Sequence, residues 1–554
     1  MAPAADIDLF APFEKDTILE IRTSKMKTMP GLTIQSGIDK ELRLGKVPVT
    51  FLGLDADEHD LTFHGGRDKA IHGYCSTHYT QWKQEFPGAE TRFRPGGFGE
   101  NFVTERMNER NICIGDILSV GGDGVLLQIS LPRQPCFKLN HRFQLKNFAP
   151  NTYRTSRTGW YYRVLREGTV QAGDEIRLVE RRWPKWTIER VQEYLHRTPD
   201  DPEMNEELAR IVDMGDESRK AFESRAAKFK AKQKRMAGSE GNEAEKWRDY
   251  RIVEKKTQTP RIASFVLEAV APDSDASDDD VRLGSHARLR LPNGLLRTYS
   301  IVSGNEARFE LGVALEEPSR GGSAYLHRGV REGDVVQVGR ITSDVKPAGA
   351  ASNHVFVAGG IGITAFLSMT ERYRQINWET TLHYGVRAAG DVPFRARLDG
   401  LGAAVRLYDG SRGQRMDIGA IFRGLSWNSH VYICGPRRMM DEAARAAKAC
   451  GLGEDEVHFE AFSADATGDP FEAAVANRDG KVLKVAGDET LLEVLRQHFD
   501  DVPSSCEVGN CGTCRVGLKS GTVEHRGTAL MEEDKKEAML SCVSRGIGRI
   551  TIEI

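Results

Sequence analysis

CEVGNCGTC, residues 506–514, places three cysteines in one short loop, and a fourth follows far downstream. The spacing Cys506-x4-Cys511-x2-Cys514, with Cys542 as the remote partner, is the plant-type pattern of thiolates that hold a [2Fe-2S] cluster. Small residues between the cysteines allow backbone amides to approach the sulfurs. A zinc site or a disulfide pair is the alternative, but zinc ligands usually come as two short cysteine pairs. We therefore predict an iron-sulfur cluster on these four cysteines.

The end of the chain resembles the C-terminal plant-type ferredoxin domain of the phthalate dioxygenase reductase family. The similarity runs from the cysteine loop through the last segment, RITIEI at residues 549–554. It implies a β-grasp fold and a role in carrying electrons. The remaining question is what supplies and what accepts those electrons.

Length, charge and cysteine content restrict the class of protein. A chain of 554 residues is long enough for about three to five domains with separate cores. Its net charge of -3 argues against nucleic-acid binding through bulk charge. Nine cysteines, four of them assigned to the cluster, favour a reducing compartment over a disulfide framework. With neither a leader pattern nor a long apolar run, we expect a soluble cytoplasmic protein without a membrane partner.

Two changes in composition divide the chain. KFKAKQKRMAGSEGNEAEKW, residues 228–247, is charged and glycine-containing without an apolar period, which indicates a linker. A weaker break falls at AFSADATGDP, residues 461–470. Together with the motifs below, these breaks predict an N-terminal domain at 1–180, a three-helix extension at 181–230, a linker at 231–246, a flavin-binding domain at 247–347, a nicotinamide-binding domain at 348–462 and a ferredoxin domain at 468–554.

Two motifs in the middle third predict a flavin site. RTYS, residues 297–300, follows a strand-like segment, and SRGGSAYLH, residues 319–327, offers glycines for close backbone approach and a serine that can open a helix. An ordinary glycine loop with a capping serine is the alternative. Both strings resemble the phthalate dioxygenase reductase branch of the ferredoxin-reductase superfamily, which implies a six-stranded barrel with FMN, or alternatively FAD. The flavin-binding residues implied are Arg297, Tyr299, Ser300, Gly321, Gly322 and Ser323.

An apolar strand, a glycine turn and the start of a helix are predicted for HVFVAGGIGITAFLSM, residues 354–369. This arrangement presents backbone amides to a pyrophosphate, although the glycines do not form a strict GxGxxG. HYGVR (383–387) and VYICGP (431–436) predict further parallel strands, which bind ligands at their carboxyl ends. We expect this α/β doubly wound domain to bind NADH, with NADPH left open by Arg387.

The nicotinamide-side residues follow from the same loops and from the family resemblance. In that family the CGP segment approaches the nicotinamide, and FEAF, residues 459–462, resembles the closing motif. For Cys434 a buried cysteine at a strand end is the alternative. The candidate residues are Gly359, Gly360, Gly362, Thr364, Cys434 and Gly435.

A second reactive cysteine is predicted in the N-terminal third. LPRQPCFKLNHRF, residues 131–143, surrounds Cys136 with basic side chains, which favour the thiolate form that attacks sulfur or binds metal. A lone cysteine is more often a small buried apolar residue. The basic neighbours are Arg133, Lys138, His141 and Arg142.

Four blocks in the same third resemble, in order, those of the MOSC domain. They are FHGGRDKAIHGY (63–74), RPGGFGENFVTE (94–105), IGDILSVGG (114–122) and QPCFKLN (134–140). The similarity is closest to the bacterial branch with a three-helix C-terminal extension, and three amphipathic helical patterns follow Trp186 here. The resemblance implies a β-rich barrel plus a small α-helical annex.

In the MOSC family the matching cysteine either carries a persulfide or ligates molybdenum in a pterin cofactor, and this role falls on Cys136. Second-shell cations would hold the anionic pterin phosphate. Cys75 and Cys113 lack basic neighbours and are expected to pack in the core. The candidate pocket residues are His64, Arg67, Lys69, His72, Asn101, Arg133, Lys138 and Asn140.

The fusion of the two halves favours molybdenum over persulfide. A sulfur carrier needs no pyridine nucleotide, whereas a molybdenum centre that reduces substrates needs two external electrons per turnover. We therefore expect electrons to pass from NADH to FMN, the cluster and molybdenum at Cys136. The resemblance to amidoxime-reducing MOSC proteins implies N-hydroxylated bases, amidoximes and hydroxylamines as substrates. The alternatives are a reductase for a separate oxygenase, with MOSC as a sulfur-carrier or binding module, and a simple diaphorase.

Overall fold

The computed structural model describes most of the chain. The described residues are 10–60, 65–236, 246–271, 280–292, 294–317, 319, 321–343, 347–462, 467–499, 502–504, 507–509, 512–527, 529–531 and 533–554. Three residues singled out above, His64, Cys506 and Cys511, lie outside these ranges. Among the helices described, none combines the length and apolar character needed to cross a membrane.

The N-terminal unit, as we call residues 10–236, is built on a mixed sheet of nine strands in the order β1-β14-β10-β11-β12-β8-β9-β2-β5, with smaller sheets β13-β6-β7 and β3-β4. Its strands are β1 (Lys15–Thr17), β2 (Glu20–Thr23), β3 (Lys27–Thr28), β4 (Gln35–Ser36), β5 (Glu41–Arg43), β6 (Val47–Thr50), β7 (Gly53–Leu54), β8 (Ile71–Cys75), β9 (Phe102–Thr104), β10 (Ile117–Val120), β11 (Val125–Pro132), β12 (Trp160–Arg166), β13 (Gly168–Val170) and β14 (Glu175–Glu180). The helices between them are α1 (Thr77–Glu85), α2 (Phe137–Phe143) and α3 (Phe148–Arg154).

Helix α2, which begins directly after Cys136, rests on a buried aromatic cluster. Phe143 of α2 stacks on Phe93 with ring centroids 4.6 Å apart and meets Phe98 at 5.2 Å. These rings are at most 1% exposed. Because so much apolar area is buried beneath it, the start of α2 is held in one position relative to the sheet.

The three predicted helical patterns of the annex form helices α4 (Ile188–Gln192, continued by a π-helical turn), α5 (Pro202–Ala209) and α6 (Asp216–Met236). Thr187 caps α4 by accepting from Arg190 N, and Asp201 caps α5 by accepting from Met204 N. Helix α6 extends to Met236, so the first part of the predicted linker at 231–246 is helical.

The flavin-type unit is a closed barrel of six strands in the order β15-β16-β19-β18-β17-β20. The strands are β15 (Arg248–Thr259), β16 (Ile262–Ala269), β17 (Ser285–Arg290), β18 (Leu296–Gly304), β19 (Arg308–Ala314) and β20 (Val335–Ser343), and helix α7 (Gly322–Arg328) follows β19. Closure leaves no free sheet edge, and the expected six-stranded barrel is confirmed.

The nicotinamide-type unit is a five-stranded parallel sheet in the order β23-β22-β21-β24-β25. Its strands are β21 (Asn353–Gly359), β22 (Thr380–Val386), β23 (Val405–Asp409), β24 (Ser429–Cys434) and β25 (Val457–Phe459), with helices α8 (Ile363–Gln375), α9 (Arg395–Gly400), α10 (Ile418–Arg423) and α11 (Arg437–Ala449). Alternate residues of β21 belong to different cores: Phe356 packs with α8, whereas Val355 and Val357 pack with α10 and α11. Helices therefore cover both faces of the sheet, as predicted for a doubly wound domain.

The C-terminal unit pairs five strands in the order β27-β26-β30-β28-β29 around one helix. The elements are β26 (Phe471–Val475), β27 (Lys481–Val485), α12 (Leu491–His498), β28 (Arg515–Glu524), β29 (Ala538–Leu540) and β30 (Arg545–Glu553). A capping box between Thr490 and Glu493 starts α12, whose leucines fill the core. The predicted multidomain fold, with a β-rich first part and a ferredoxin-like last part, is confirmed.

The N-terminal unit docks on the amino-terminal edge of the nicotinamide-type sheet. The Glu379 carboxylate, just before β22, accepts hydrogen bonds from Thr33 N (2.6 Å), Thr33 Oγ1 (2.9 Å) and Ile34 N (3.2 Å). Asn377 Nδ2 donates to Gln35 O at 3.0 Å and to Asp60 Oδ2 at 2.6 Å. Charge-assisted bonds of this kind are stronger than neutral ones and fix the orientation of the two surfaces.

The C-terminal unit contacts the flavin-type barrel through the loop that carries the cluster cysteines. Arg288 of β17 donates to Glu507 Oε1 (3.3 Å) and to Ser504 O (3.5 Å). Glu507 is also held by Arg496 of α12 at 2.7 Å. Since Glu507 adjoins Cys506 in the chain, this contact places the cluster loop against the barrel.

A buried ion pair is expected to stabilise the N-terminal unit. Lys40 Nζ lies 2.5 Å from Asp57 Oδ1, and the two side chains are 4% and 0% exposed. Replacing Asp57 with Asn leaves a buried ammonium without its counter-charge, so we expect the free energy of unfolding to fall by about 3 kcal/mol. Urea unfolding followed by tryptophan fluorescence measures the change.

The same variant should show a characteristic pH dependence. Burial lowers the pKa of Lys40, so the unfolded chain holds this proton more tightly and the stability deficit should shrink as the pH rises towards 10. Lys46→Gln, which breaks the exposed pair with Asp123, is the control and should unfold like the wild type. An Asp57→Asn midpoint equal to that of the control would contradict the assignment.

Candidate functional site

Cys136 lies at the wall shared by two cavities of different chemistry. The first, which we call the cationic cavity, has a volume of about 60 Å³. The second, the apolar cavity, has a volume of about 230 Å³ and is lined in part by the nicotinamide-type unit. Both are lined by Lys69, Cys136, Lys138 and Tyr161.

Most of the pocket residues predicted from sequence meet in the cationic cavity. Those that line it are Lys69, His72, Asn101, Arg133, Cys136 and Lys138. They converge from distant segments because β8, β9 and β12 are neighbours in the sheet, while β11 leads into the loop before α2.

Other predicted residues lie elsewhere. The Arg67 guanidinium sits over the Phe51 ring at 5.4 Å. Asn140 Nδ2 reaches out of the N-terminal unit and donates to Ala350 O at 2.9 Å, while its Oδ1 accepts from Ala149 N. His141 Nε2 lies 2.8 Å from Pro30 O. Sequence proximity to Cys136 therefore does not decide which side chains share its cavity.

Arg133 is the cation of this cavity whose charge is least compensated. Lys138 pairs with Asp60 at 2.7 Å, and Lys69 pairs with Glu217. Arg133 is 3% exposed, and within the described part of the chain no carboxylate lies within ion-pair distance of it and its Nη1 has no hydrogen-bond partner. A buried guanidinium without a neighbouring carboxylate favours the binding of an anion in the cavity.

His72, which also lines the cationic cavity, is neutral near pH 7. Burial, and next the positive charge of Arg133, lower its pKa to about 3. Asn101 Oδ1 accepts from His72 N at 3.0 Å, which ties the two predicted residues together. Among described residues, His72 Nε2 has no partner. This nitrogen lies against the backbone of Gly159, where an added Cβ would be 2.4 Å away, so His72 contributes a neutral ring to the cavity wall.

Several residues that line these cavities were not predicted from the sequence. Asp60 and Lys40 supply buried charges, and Tyr161 contributes a buried ring, with its pKa raised to about 12 by burial. Ile376 and Trp378 come from the nicotinamide-type unit. Alternation in the WYYR strand indicates only which face Tyr161 occupies, and no local signal relates Trp378 to Cys136.

The other two cysteines considered in this unit are packing residues, as expected. Cys75 and Cys113 are at most 1% exposed. Burial raises the pKa of each thiol to about 12. Neither forms a thiolate at neutral pH, which leaves Cys136, half-buried, as the accessible cysteine described in this unit.

All of the predicted flavin residues except Gly321 line a third cavity, of about 100 Å³, between the barrel and the nicotinamide-type unit. Gly322 leaves no room for a side chain, because a Cβ there would lie 2.7 Å from Arg297 Cγ. Gly321 precedes it in the left-handed region, with φ 92°, and α7 begins at Gly322 rather than being capped by Ser323. The lining residues are Arg297, Thr298, Tyr299, Ser300, Gly312, Ala314, Glu316, Ser319, Gly322, Ser323, Ile361, Thr364 and Phe462.

The predicted nicotinamide residues meet where β21 and β24 end. A Cβ on Gly362 would lie 2.2 Å from Cys434 O, and one on Gly435 would lie 3.1 Å from Gly359 N. The two turns can approach this closely only because they lack side chains. Gly360 has φ 55° and accepts a hydrogen bond from Tyr384 OH at 2.9 Å.

Cys434 itself is fully buried, and burial raises the pKa of its thiol well above the usual range. It packs behind the glycine turn, whereas Ile361 and Thr364 line the flavin-side cavity.

Two of the four predicted cluster cysteines are described. Cys514 and Cys542 are buried, and their sulfurs are 3.1 Å apart. Gly509 and Gly512 flank the loop in the left-handed region, with φ 84° and 75°. A Cβ on Gly509 would lie 2.8 Å from Gly527 Cα, so the loop needs glycine there. The two thiols share one site, as a single cluster requires.

Comparisons with known proteins agree with this division of the chain. Residues 60–177 match the MOSC domain family, and residues 475–545 match the 2Fe-2S iron-sulfur cluster binding domain. A protein of Gibberella moniliformis named "Reductase" is 35% identical over 563 residues, covering 97% of this chain and 95% of the relative.

Two further relatives match the second half. The phthalate 4,5-dioxygenase oxygenase reductase subunit of Pseudomonas putida is 35% identical, covering 47% of this chain and 83% of its own. The solved structure of phthalate dioxygenase reductase, 29% identical, covers 56% of this chain and 98% of that one, with a TM-score of 0.45. The chain therefore belongs to a family of reductases that join an N-terminal MOSC domain to a phthalate dioxygenase reductase-like module with a C-terminal [2Fe-2S] domain.

Proposed function

We propose that this protein is a self-sufficient, NADH-dependent reductase of N-hydroxylated compounds, with FMN, a [2Fe-2S] cluster and a molybdenum-pterin cofactor at Cys136. For a hydroxylamine the overall reaction is R-NHOH + NADH + H⁺ → R-NH₂ + NAD⁺ + H₂O. The N–O bond breaks, the oxygen leaves as water, and NADH supplies both electrons. Bases, amidoximes and hydroxylamines that carry an N-OH group are the proposed substrate class.

The observation that carries this proposal is the pairing of a half-buried thiol with an uncompensated buried guanidinium. Cys136 and Arg133 line the same cavity, and Arg133 Nη1 lacks a partner among the described residues. A soft thiolate suits a redox-active metal, and a buried guanidinium suits the anionic part of a pterin. A cavity of about 60 Å³ is too small for a whole pterin unless its lining side chains move, so the fit rests on the donor groups.

Each cofactor is assigned to particular residues. Cys136 would ligate molybdenum, while Arg133, Lys69 and Lys138 would face the anionic groups of the pterin. The flavin would lie in the cavity lined by the RTYS strand and the start of α7, and the nicotinamide at the Gly359 and Gly435 turns. When bound, molybdenum would accept the N-OH oxygen, the flavin would accept one hydride from NADH, and the cluster would carry single electrons.

The contacts between the units determine the distances between the proposed cofactor sites. Arg288, which holds the cluster loop, is the cross-strand neighbour of Thr298, a residue that lines the flavin cavity. The N-terminal unit, in contrast, contacts the amino-terminal edge of the nicotinamide-type sheet. The seven residues of β21 separate that edge from the glycine turns by about 20 Å. We therefore infer that the N-terminal unit leaves this contact to receive electrons, and that the linker allows the movement.

A second candidate function is supported by the relatives of the reductase half. One of them is named as the reductase subunit of a phthalate dioxygenase. In that reading this chain also delivers electrons to a separate oxygenase, and its MOSC domain carries sulfur or binds a partner. The two functions differ in whether Cys136 holds a metal.

Metal and flavin content, with Cys136→Ala as the variant, tests the proposal. From a host able to make the pterin, we expect the wild type to contain iron, flavin and molybdenum and to oxidise NADH with benzamidoxime or 6-hydroxylaminopurine. The variant should lose molybdenum and this activity, because its soft ligand is missing, while NADH still reduces the flavin. The measurements are elemental analysis and anaerobic absorbance spectra.

Cys75→Ala is the matched control, since this buried thiol in the same unit lies outside both cavities. It should keep molybdenum. Wild-type protein with iron and flavin but neither molybdenum nor N-reduction would overturn the proposal and favour the oxygenase-partner function.

The contact between the cluster loop and the barrel should control electron transfer within the reductase half. Arg288→Met removes the ion pair with Glu507, so we expect cluster reduction after mixing with NADH to slow about tenfold, as for a loss of about 1.4 kcal/mol of orienting interaction. Flavin reduction should keep its rate. Stopped-flow absorbance separates the two steps, and Arg290→Met, on the same strand but away from Glu507, is the control.

Shortening the linker should lower the rate of N-reduction without changing the electron transfer within the reductase half. Progressive deletion within residues 237–245 restricts the reach of the N-terminal unit, so we expect N-reduction to fall with each deletion while NADH-dependent cluster reduction stays constant. Replacement of the same residues by glycine and serine at equal length should preserve both activities. Unchanged N-reduction at every length would argue against movement of the unit.

A further inference from the structure

The apolar cavity beside Cys136 is built by two units of the chain. The N-terminal unit contributes Leu131, Pro135 and Phe137, and the nicotinamide-type unit contributes Ile376 and Trp378. Its few polar side chains, Lys69, Lys138, Glu217, Gln134 and Tyr161, complete the lining. A cavity surface that is mostly apolar and includes a few polar groups is typical of a site for a small organic ligand.

Trp378 is held firmly in this wall. Its ring stacks on His354 with centroids 4.9 Å apart and an interplanar angle of 9°, and it meets Tyr373 at 4.8 Å. On the side of the N-terminal unit it meets Phe137 edge to face at 6.2 Å. Its neighbour Glu379 accepts hydrogen bonds from Thr33. An aromatic surface fixed in this way loses little entropy when a ligand packs against it.

Asp60 connects the two units beside this cavity through hydrogen bonds. Its Oδ2 accepts from Lys138 Nζ at 2.7 Å and from Asn377 Nδ2 at 2.6 Å. Lys138 lines both cavities, and Asn377 is next to Trp378 in the chain. The position of the nicotinamide-type unit is therefore coupled to a cation beside Cys136.

We propose that the apolar cavity is the substrate site and that Trp378, a residue of the reductase half, determines its preference for aromatic compounds. The inference rests on the proposed function and specifies its substrate class as aryl amidoximes and aryl hydroxylamines. The ring of the substrate packs against the wall formed by Trp378 and Phe137, and the N-OH group points to Cys136 and Lys138. A cavity of about 230 Å³ holds a molecule of one or two rings.

The different chemistry of the groups that line the two cavities supports this assignment. The cationic cavity presents charged and hydrogen-bonding groups suited to an anionic cofactor, whereas the apolar cavity presents aromatic and aliphatic surface. Cys136 belongs to both, so a group bound on one side meets a ligand bound on the other. An isolated N-terminal unit would lack the Ile376 and Trp378 wall, so docking of the two halves completes the substrate site.

The test compares an aromatic substrate with a small aliphatic one in the full-length holoprotein. Trp378→Ala should raise KM for benzamidoxime about tenfold, the loss for one aromatic packing surface, and leave KM for acetamidoxime nearly unchanged. Trp378→Phe, which keeps an aromatic ring, should recover most of the difference. The rate of flavin reduction by NADH reports whether each variant is folded.

Trp427→Ala is the matched control. Trp427 meets His141 edge to face at 6.1 Å across the same pair of units, but it does not line the apolar cavity. It should leave the KM ratio of the two substrates at the wild-type value. Equal loss for both substrates in Trp378→Ala, or the same ratio as in Trp427→Ala, would overturn the inference.

Calorimetric titration with benzamidoxime separates this inference from the proposed function. If the wild type reduces neither substrate, the proposed function fails, and binding alone then decides the site. Binding by the wild type that weakens about tenfold in Trp378→Ala, but not in Trp427→Ala, would retain the substrate-sized site. Absence of binding to the wild type, or equal binding to all variants, would reject it.

Discussion

The carboxylate of Glu379 is the constraint on which the arrangement of the molecule depends. It is almost fully buried between two units and accepts hydrogen bonds from the Thr33 and Ile34 segment. A buried carboxylate is costly unless its oxygens are satisfied, so while the two units are docked the N-terminal unit covers it in one orientation. That orientation places Trp378 in the wall of the apolar cavity that Cys136 also lines. The N-terminal unit then contacts the amino-terminal edge of the sheet, and not the carboxyl edge proposed to bind a nucleotide.

All strands of the nicotinamide-type sheet run in the same direction, so its two edges present different groups. At the carboxyl edge, the glycine turns after β21 and β24 touch each other, and backbone amides are left for a ligand. At the amino edge, Asn377 and Glu379 present side chains that bind another unit. The proposed nucleotide site and the proposed substrate site therefore lie at opposite edges of the same sheet.

Local patterns predicted much of the fold and part of the site. The glycine loop of residues 354–369, the RTYS strand and the three amphipathic helices each combine a periodicity with a turn signal, so their elements could be assigned without tertiary information. Local sequence also predicted Arg133 and Lys138 as neighbours of Cys136, and the three residues line one cavity. The same prediction failed for Asn140, whose helical position turns it towards Ala350, because neighbours in sequence on a helix face different directions.

By itself, the sequence determined which residue types occur together: three clustered cysteines with a fourth downstream, glycine turns of the kind that bind phosphate, and a cysteine among basic residues. These depend on residue type and short spacing, which local geometry translates directly into contacts. Only the tertiary structure decided that Arg133 lacks a counter-charge in the described chain, and that Trp378 faces Cys136 from another unit. Such facts depend on which surfaces are buried against each other over hundreds of residues, and no local pattern encodes them.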